Sequence, residues 1–326
     1  FGARRAHNMD AAVYGARAAY IGGAVGTATV LAGKMFDIPL SGTMAHSWIM
    51  YQKDEYTAFK KFAETYPDNA VLLIDTYDVL KSGVPNAIRV AKEVLEPMGK
   101  RLKGVRLDSG DLAYLSRKVR KMLDEADCKD CIIVASNSLD EYTITSILDQ
   151  GGQIDSFGVG ERLITSKSDP VFGAVYKIVE VEKDGEKVPK IKISETVEKI
   201  TNPGRKNVYR IYDEEGRAIS DLLTKEDEVV DTSKPYRYVD SKKPWKNMCY
   251  ENFTIKPLQQ QVIKDGKRVM ETESLDTLRD YVKQQLEQEI WESELRFDNP
   301  HVHYLDMSPE YYEMKMDLLY KSQKND

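Results

Sequence analysis

From Asp10 to about Gly160, short apolar runs alternate with longer amphipathic stretches, a spacing that predicts successive βα units. The runs are Tyr20 to Val25, Ile38 to Leu40, Val71 to Ile74, Gly104 to Leu107, Cys131 to Ala135 and Ile154 to Phe157. Apolar residues recur at i, i+3 and i+4 over Asp54 to Tyr66, Val84 to Leu95, Leu112 to Asp127 and Asp140 to Gln150, which predicts helices. Parallel strands with crossover helices result, as an open doubly wound sheet or as a barrel. Beyond Lys167 the period falls to two, with strands expected at Val175 to Glu182, Val188 to Ser194, Val208 to Tyr212 and Arg217 to Leu222. Asp184-Gly185 and Glu215-Gly216 read as their turns. Helices return in Ser274 to Glu294 and Pro309 to Tyr320, with Asn299-Pro300 as the break. The expected organisation is an α/β core over 1–175, a β-rich extension over 176–256 and a C-terminal helical region over 257–326.

Composition narrows the function classes. With 326 residues, 41% hydrophobic, 31% charged and a formal charge of −6, the chain has the profile of an ordinary soluble enzyme. No Lys/Arg-rich block with interleaved aromatics suggests nucleic acid as a partner. The longest uncharged run, Ala18 to Gly33, contains four glycines and falls short of the roughly 20 apolar residues of a membrane span. No signal peptide precedes it, and the opening Phe1-Gly-Ala-Arg-Arg reads as a chain that starts inside a longer protein. Three cysteines do not make a disulfide framework and fit a reducing, cytoplasmic compartment. Cys128-Lys-Asp-Cys131 has zinc-type spacing but no second close pair, so it reads as a helix end followed by a buried strand.

The candidate chemistry lies in the polar residues just past each apolar run, because α/β folds hold ligands beyond the carboxyl ends of their strands. Ser41-Gly-Thr43-Met-Ala-His46 comes after Ile38-Pro-Leu40 and delivers one of only four histidines to the head of a helix expected from Trp48 to about Tyr66. Ile74 is succeeded by Asp75-Thr76-Tyr77-Asp78, and Val105 by Arg106-Leu-Asp108-Ser109-Gly110-Asp111. Ala135 leads into Ser136-Asn137, and Phe157 into Gly158-Val-Gly160-Glu161-Arg162. Each has a plainer reading. Asp108 to Asp111 could simply cap the next helix, Gly158-Val-Gly160 could be a tight turn, and His46 could be a satisfied core histidine. Their recurrence at one end of successive strands favours a site for a phosphorylated sugar: carboxylates for ribose hydroxyls, glycine amides for phosphate and a histidine as phosphoryl acceptor. His301 and His303, two apart before a Pro-initiated helix, read as surface or packing residues rather than metal ligands.

These residues resemble a known family. Phe1-Gly-Ala-Arg4-Arg5, Ser41 to His46, Arg106-Leu-Asp-Ser-Gly-Asp111, Phe157-Gly-Val-Gly160 and Thr201-Asn-Pro-Gly204 are similar, in order and over essentially the whole chain, to nicotinate phosphoribosyltransferases. The resemblance implies an irregular TIM-like α/β barrel of the type II phosphoribosyltransferases, with a β-rich extension and a C-terminal helical part. It also implies a family N-terminal domain ahead of Phe1 that this chain lacks. The implied reaction is ATP-assisted condensation of nicotinate with phosphoribosyl pyrophosphate, giving nicotinate mononucleotide and pyrophosphate with Mg2+ as cofactor, in a homodimer.

By the same resemblance His46 is the phosphohistidine, Asp75 orients its imidazole, Asp108 holds ribose hydroxyls and Arg106 counters phosphate charge. Gly158, Gly160, Ser136 and Asn137 cradle the 5′-phosphate, Phe1 stacks on the pyridine ring and Arg4 faces its carboxylate or the adjoining phosphate. Thr43, Ser109, Gly110 and Lys167 complete the implied substrate contacts. A nicotinamide-using relative shares most of these motifs but has an acidic residue where this chain has Ala28; a carboxylate there would repel nicotinate, so Ala28 favours nicotinate. The nicotinamide enzyme and a catalytically silent phosphoribosyl-binding fragment remain as alternatives.

Overall fold

The computed structural model describes residues 1–246 and 248–323, and the chain divides into two compact units, Phe1–Phe172 and Gly173–Asp326. In the first unit, strands β1 (Val71–Leu73), β2 (Gly104–Leu107), β3 (Ile132–Ser136) and β4 (Ser156–Gly158) form a parallel sheet in the order β1-β2-β3-β4. The registers Leu72↔Val105, Val105↔Ile133 and Ala135↔Phe157 align their carboxyl ends. Neighbours in sequence are neighbours in space and the order never reverses. That is the topology of a barrel wall, since a doubly wound sheet has a switch point.

Two expectations change here. Residues Tyr20 to Val25 are not a strand: Asn8 caps helix α1 (Met9–Ile21) through the Ala11 amide, the helix runs through Tyr20, and it ends at Gly22 and Gly23. Gly23 takes a φ of +115°, which a side chain would resist. Helix α2 (Val30–Phe36) comes next, and a single parallel bridge joins Thr27 to Leu40. The helix expected over Trp48 to Tyr66 is two. Helix α3 (His46–Tyr51) stops at Gln52, and Asp54, with extended backbone, starts α4 (Glu55–Thr65) by accepting from the Thr57 amide.

The crossover helices obey the predicted periodicity. A continuous helical stretch from Val79 to Met98, with α5 (Val84–Val90) at its centre and π-helical turns on both sides, connects β1 to β2. Helix α6 (Leu112–Glu125) buries Leu112, Ala113, Ser116, Val119 and Leu123 on one face. Helix α7 (Glu141–Asp149) is capped by Asp140, and the short α8 (Glu161–Ile164) begins after Gly160. Leu72, Ile74, Val105, Leu107, Ile133 and Ala135 lie fully buried in the core shared with these helices. Cys128 and Cys131 are buried where α6 ends and β3 begins, as the plainer reading of that motif expects.

The second unit begins with a hairpin of β5 (Glu180–Lys183) and β6 (Glu186–Pro189). Its main sheet has six strands: β7 (Lys206–Tyr212), β8 (Ala218–Lys225), β9 (Tyr236–Asp240), β10 (Met248–Tyr250), β11 (Thr254–Pro257) and β14 (Leu305–Met307). A second hairpin, β12 (Ile263–Lys264) and β13 (Lys267–Arg268), lies apart. The order is β10-β9-β14-β8-β7-β11, so β14, late in the chain, pairs parallel with β8 and antiparallel with β9. Helices α9 (Leu275–Gln284) and α10 (Pro309–Gln323) complete the unit, and Tyr311 of α10 is fully buried with its hydroxyl donating to the Pro203 carbonyl. His303 hydrogen-bonds Glu294 at 3.0 Å, and His301 packs on Trp291 and Tyr304, which makes both packing residues. No described helix is long and apolar enough to cross a membrane.

Candidate active site

Six chain segments meet at the carboxyl ends of the parallel strands. Arg106, the third residue of β2, is the hub. Its Nε donates to Ser136 Oγ at 2.8 Å, Nη1 to Thr43 Oγ1 at 2.8 Å and Nη2 to Asp108 Oδ1 at 2.9 Å. Three of its five N–H donors are thus fixed by residues from the His46 loop, β3 and its own strand end. Ser136 also donates to Asp108 Oδ1 in a short contact. Partial burial alone would raise the Asp108 carboxyl, but the Ser136 hydrogen bond and the Arg106 guanidinium outweigh it and hold the group below the usual carboxylate range.

Asp75 leaves the end of β1, and its side chain is shielded completely from solvent. Its Oδ2 accepts the Asp108 backbone N–H at 2.9 Å and the Ser109 hydroxyl at 2.6 Å. Its Oδ1 is buried, has no hydrogen-bond partner among the described residues, and lies 3.8 Å from His46 Nε2. Asp108 Oδ2 lies 3.7 Å from the same nitrogen. The imidazole is held instead at its other nitrogen, where Nδ1 and Thr76 Oγ1 are 3.0 Å apart. Asp75, expected to orient the ring, also anchors the β2 loop, and the hydrogen bond to the ring is made by Thr76. Thr76 lay within the polar stretch after Ile74, but nothing in its spacing marked it as the ring's partner.

The Asp108 to Asp111 stretch divides its work. Asp111 is the helix cap, accepting the Tyr114 amide at 2.9 Å, and this frees Asp108 and Ser109 for the site. Gly110 turns between them at a φ of +79°, and a Cβ there would meet Leu115 at 2.9 Å. After β3, Asn137 and Ser138 are exposed at φ of +93° and +50°, consecutive left-handed residues of a kind that clusters at functional sites. Gly158 lies against Ser136, the residue before them, since an added Cβ would come within 3.2 Å of Ser136 Cβ.

The ring of loops is completed by Phe1 and Gly2. The Gly2 amide donates to the Val159 carbonyl, and the Phe1 carbonyl accepts from the Ala28 amide at 2.9 Å and the Thr27 hydroxyl at 3.1 Å. Gly160 approaches the Gly2 carbonyl so closely that a Cβ would sit 3.3 Å from it. Phe1, Gly158, Gly160 and Ala28 are thereby gathered on one stretch of the rim. Arg4 and Lys167 are exposed, and no hydrogen bond or ion pair among the described residues links either to the cluster.

The comparisons agree with this geometry. Residues 205–315, which span all six strands of the second unit's main sheet, match the family model of the nicotinate phosphoribosyltransferase C-terminal domain. Over 324 residues the chain is 46% identical to nicotinate phosphoribosyltransferase of Bacillus subtilis, covering 98% of this chain and 65% of that protein. Over nearly its whole length the chain is similar to nicotinate phosphoribosyltransferases. Its relative of the same name in Dictyostelium discoideum is 36% identical over 353 residues, 92% of this chain and 59% of that one. The chain thus spans a little under two thirds of the curated nicotinate phosphoribosyltransferases it matches. The crystal structure of human nicotinic acid phosphoribosyltransferase shares the fold at a TM-score of 0.78 and 23% identity, covering 97% of this chain and 69% of that one. The crystal structure of nicotinate-nucleotide pyrophosphorylase from Pyrococcus furiosus is also similar, at 0.63 and 27%, covering 87% and 64%.

Proposed function

We propose that this chain is a nicotinate phosphoribosyltransferase that transfers phosphoribose from phosphoribosyl pyrophosphate to the ring nitrogen of nicotinate, coupled to ATP through a phosphohistidine at His46. The observation that carries the reading is the position of His46 Nε2, facing Asp75 and Asp108 at the strand ends while Arg106 ties three loops around it. In the coupling step Nε2 attacks the γ-phosphorus of ATP, the bond to the bridging oxygen breaks and ADP leaves. Water later cleaves the N–P bond and releases phosphate. In the transfer step the nicotinate nitrogen attacks ribose C1 as the C1–O bond to pyrophosphate breaks. Positive charge develops at C1, and the ionised Asp108, held in that form by Ser136 and Arg106, is suited to offset it while accepting ribose hydroxyls.

Mg2+, a hard cation that takes oxygen ligands, would be held by the two carboxylate oxygens beside His46 Nε2, Asp108 Oδ2 at 3.7 Å and the unpartnered Asp75 Oδ1 at 3.8 Å. Bound there with the phosphates of a substrate, Mg2+ would neutralise charge on the pyrophosphate leaving group. Phe1 is the candidate to stack on the pyridine ring, and the rim at Gly158 and Gly160 the candidate phosphate cradle. Ala28, hydrogen-bonded to Phe1, favours nicotinate over nicotinamide because it sets no negative charge beside the substrate carboxylate.

The test is incubation with γ-labelled ATP and magnesium, with His46→Ala as control. Acid-labile, base-stable label present in the parent and absent from the variant supports the reading. Equal label in both would overturn His46 as the acceptor, and preferential turnover of nicotinamide would overturn the substrate assignment.

A further inference from the structure

We infer that Thr76 is the positioning residue of His46, holding the ring by Nδ1 so that Nε2 alone faces the reactants, and doing so through a hydroxyl that can either donate or accept. This rests on the activity proposed above. The contact is 3.0 Å from Thr76 Oγ1 to Nδ1. It is the ring's hydrogen bond, because the nearest oxygens to Nε2, on Asp108 and Asp75, stand off at 3.7 and 3.8 Å. Thr76 is fixed in turn by its place, directly after the buried Asp75 whose Oδ2 is anchored on the β2 loop. The ring itself sits at the first residue of α3, with Ile49 of that helix fully buried, so the backbone on both sides of the contact is tied to the core.

The chemical identity of the partner matters. A carboxylate at Nδ1 can only accept, so it would keep a proton on Nδ1 and favour the imidazolium. A hydroxyl donates or accepts. It accepts from Nδ1–H when Nε2 carries the lone pair that attacks phosphorus, and it donates to a bare Nδ1 when the proton sits on Nε2. Nδ1 is covered in either state, which leaves Nε2 as the only nitrogen able to bond phosphorus.

Three variants test this: Thr76→Val removes the hydrogen bond at nearly constant shape, Thr76→Ser keeps it, and Thr76→Asp makes it accept-only. Histidine-labelled chain has only four ring systems, His7, His46, His301 and His303, so His46 can be followed by nitrogen NMR without substrate. We expect Thr76→Val to change the His46 nitrogen signals alone, to lower kcat roughly 10- to 100-fold with KM little altered, and to yield label on both nitrogens. Thr76→Ser should restore phosphate to Nε2 only, and the nitrogen spectrum of Thr76→Asp should show a ring proton fixed on Nδ1. Unchanged His46 signals and unchanged kcat in Thr76→Val would overturn the inference, as would label on Nδ1 in the parent. A parent that transfers no phosphoryl group counts against the activity reading alone, and the NMR comparison then decides the positioning by itself.

Discussion

Ser109 donates its hydroxyl to Asp75 Oδ2 at 2.6 Å, so the loop after β2 is fastened to the end of β1 by a carboxylate that solvent does not reach. The same oxygen takes the Asp108 amide, and a single side chain thereby sets where Asp108 stands.

Replacing that carboxylate should cost both stability and turnover. Asp75→Ala leaves the Asp108 amide and the Ser109 hydroxyl without their acceptor, a loss of roughly 2–3 kcal/mol for charge-assisted hydrogen bonds. Calorimetry should show a midpoint several degrees lower, and turnover should fall by about two orders of magnitude as Asp108 drifts. An unaltered melting midpoint would mean that the loop is held by other contacts.

The acid limb of stability should carry the Asp108 signature. Its folded-state pKa lies below the unfolded value, so its contribution is complete above the ordinary Asp pKa of about 3.9 and disappears as pH falls through the lower folded value. Ser136→Ala removes one of the groups that keeps the proton off. Carbon NMR of the Asp108 carboxyl should therefore show its titration move upward in that variant, and a titration that stays put would contradict the assigned cause.

Thiol reactivity should divide the three cysteines. Burial pushes the Cys131 thiol up to about 12 and raises Cys128 as well, whereas Cys249 is exposed. One rapid equivalent should react with a disulfide reagent near neutral pH, and Cys249→Ser should abolish it. Three equally fast equivalents would be inconsistent with the buried junction of α6 and β3.

Gly83 should tolerate no side chain. A Cβ there would stand 1.9 Å from the Ile74 carbonyl oxygen, a backbone atom directly before Asp75, so the helical stretch and the end of β1 would have to separate. Gly83→Ala should destabilise by roughly 2–4 kcal/mol and depress activity too. Urea titration reads the first effect, and a midpoint equal to the parent's would refute it.

Four strands of the first unit were legible because their runs are apolar and bounded by polar strand ends. Tyr20 to Val25 misled for a physical reason: composition cannot separate a buried helix end from a strand, and Asn8, which decides it by capping, lies a dozen residues upstream. The break between α3 and α4 was marked only by Asp54, whose capping role the apolar spacing overrode. Within the site, the residue types and their loops were readable, but pairings were not. Thr76 meets His46 across 30 positions of sequence, and Arg106 meets Thr43 across 63, contacts that exist only once strand order and side-chain direction are set. Strand β14 was hidden for a similar reason, since three residues before a helix have too short a pattern to show a period.

The late position of β14 has a consequence for how the polypeptide matures. Until Leu305–Met307 arrives, β9 and β10 share no backbone ladder with β8, β7 and β11, and only side-chain contacts such as that between the Ser220 and Tyr250 hydroxyls join the two ribbons. A ribosome must therefore release every residue up to Met307 before the second unit can close. Meanwhile one edge of β8 and one of β9 offer unpaired backbone to any passing strand. Of the six strands in this sheet, the one that guards against mispairing during synthesis is the one made last.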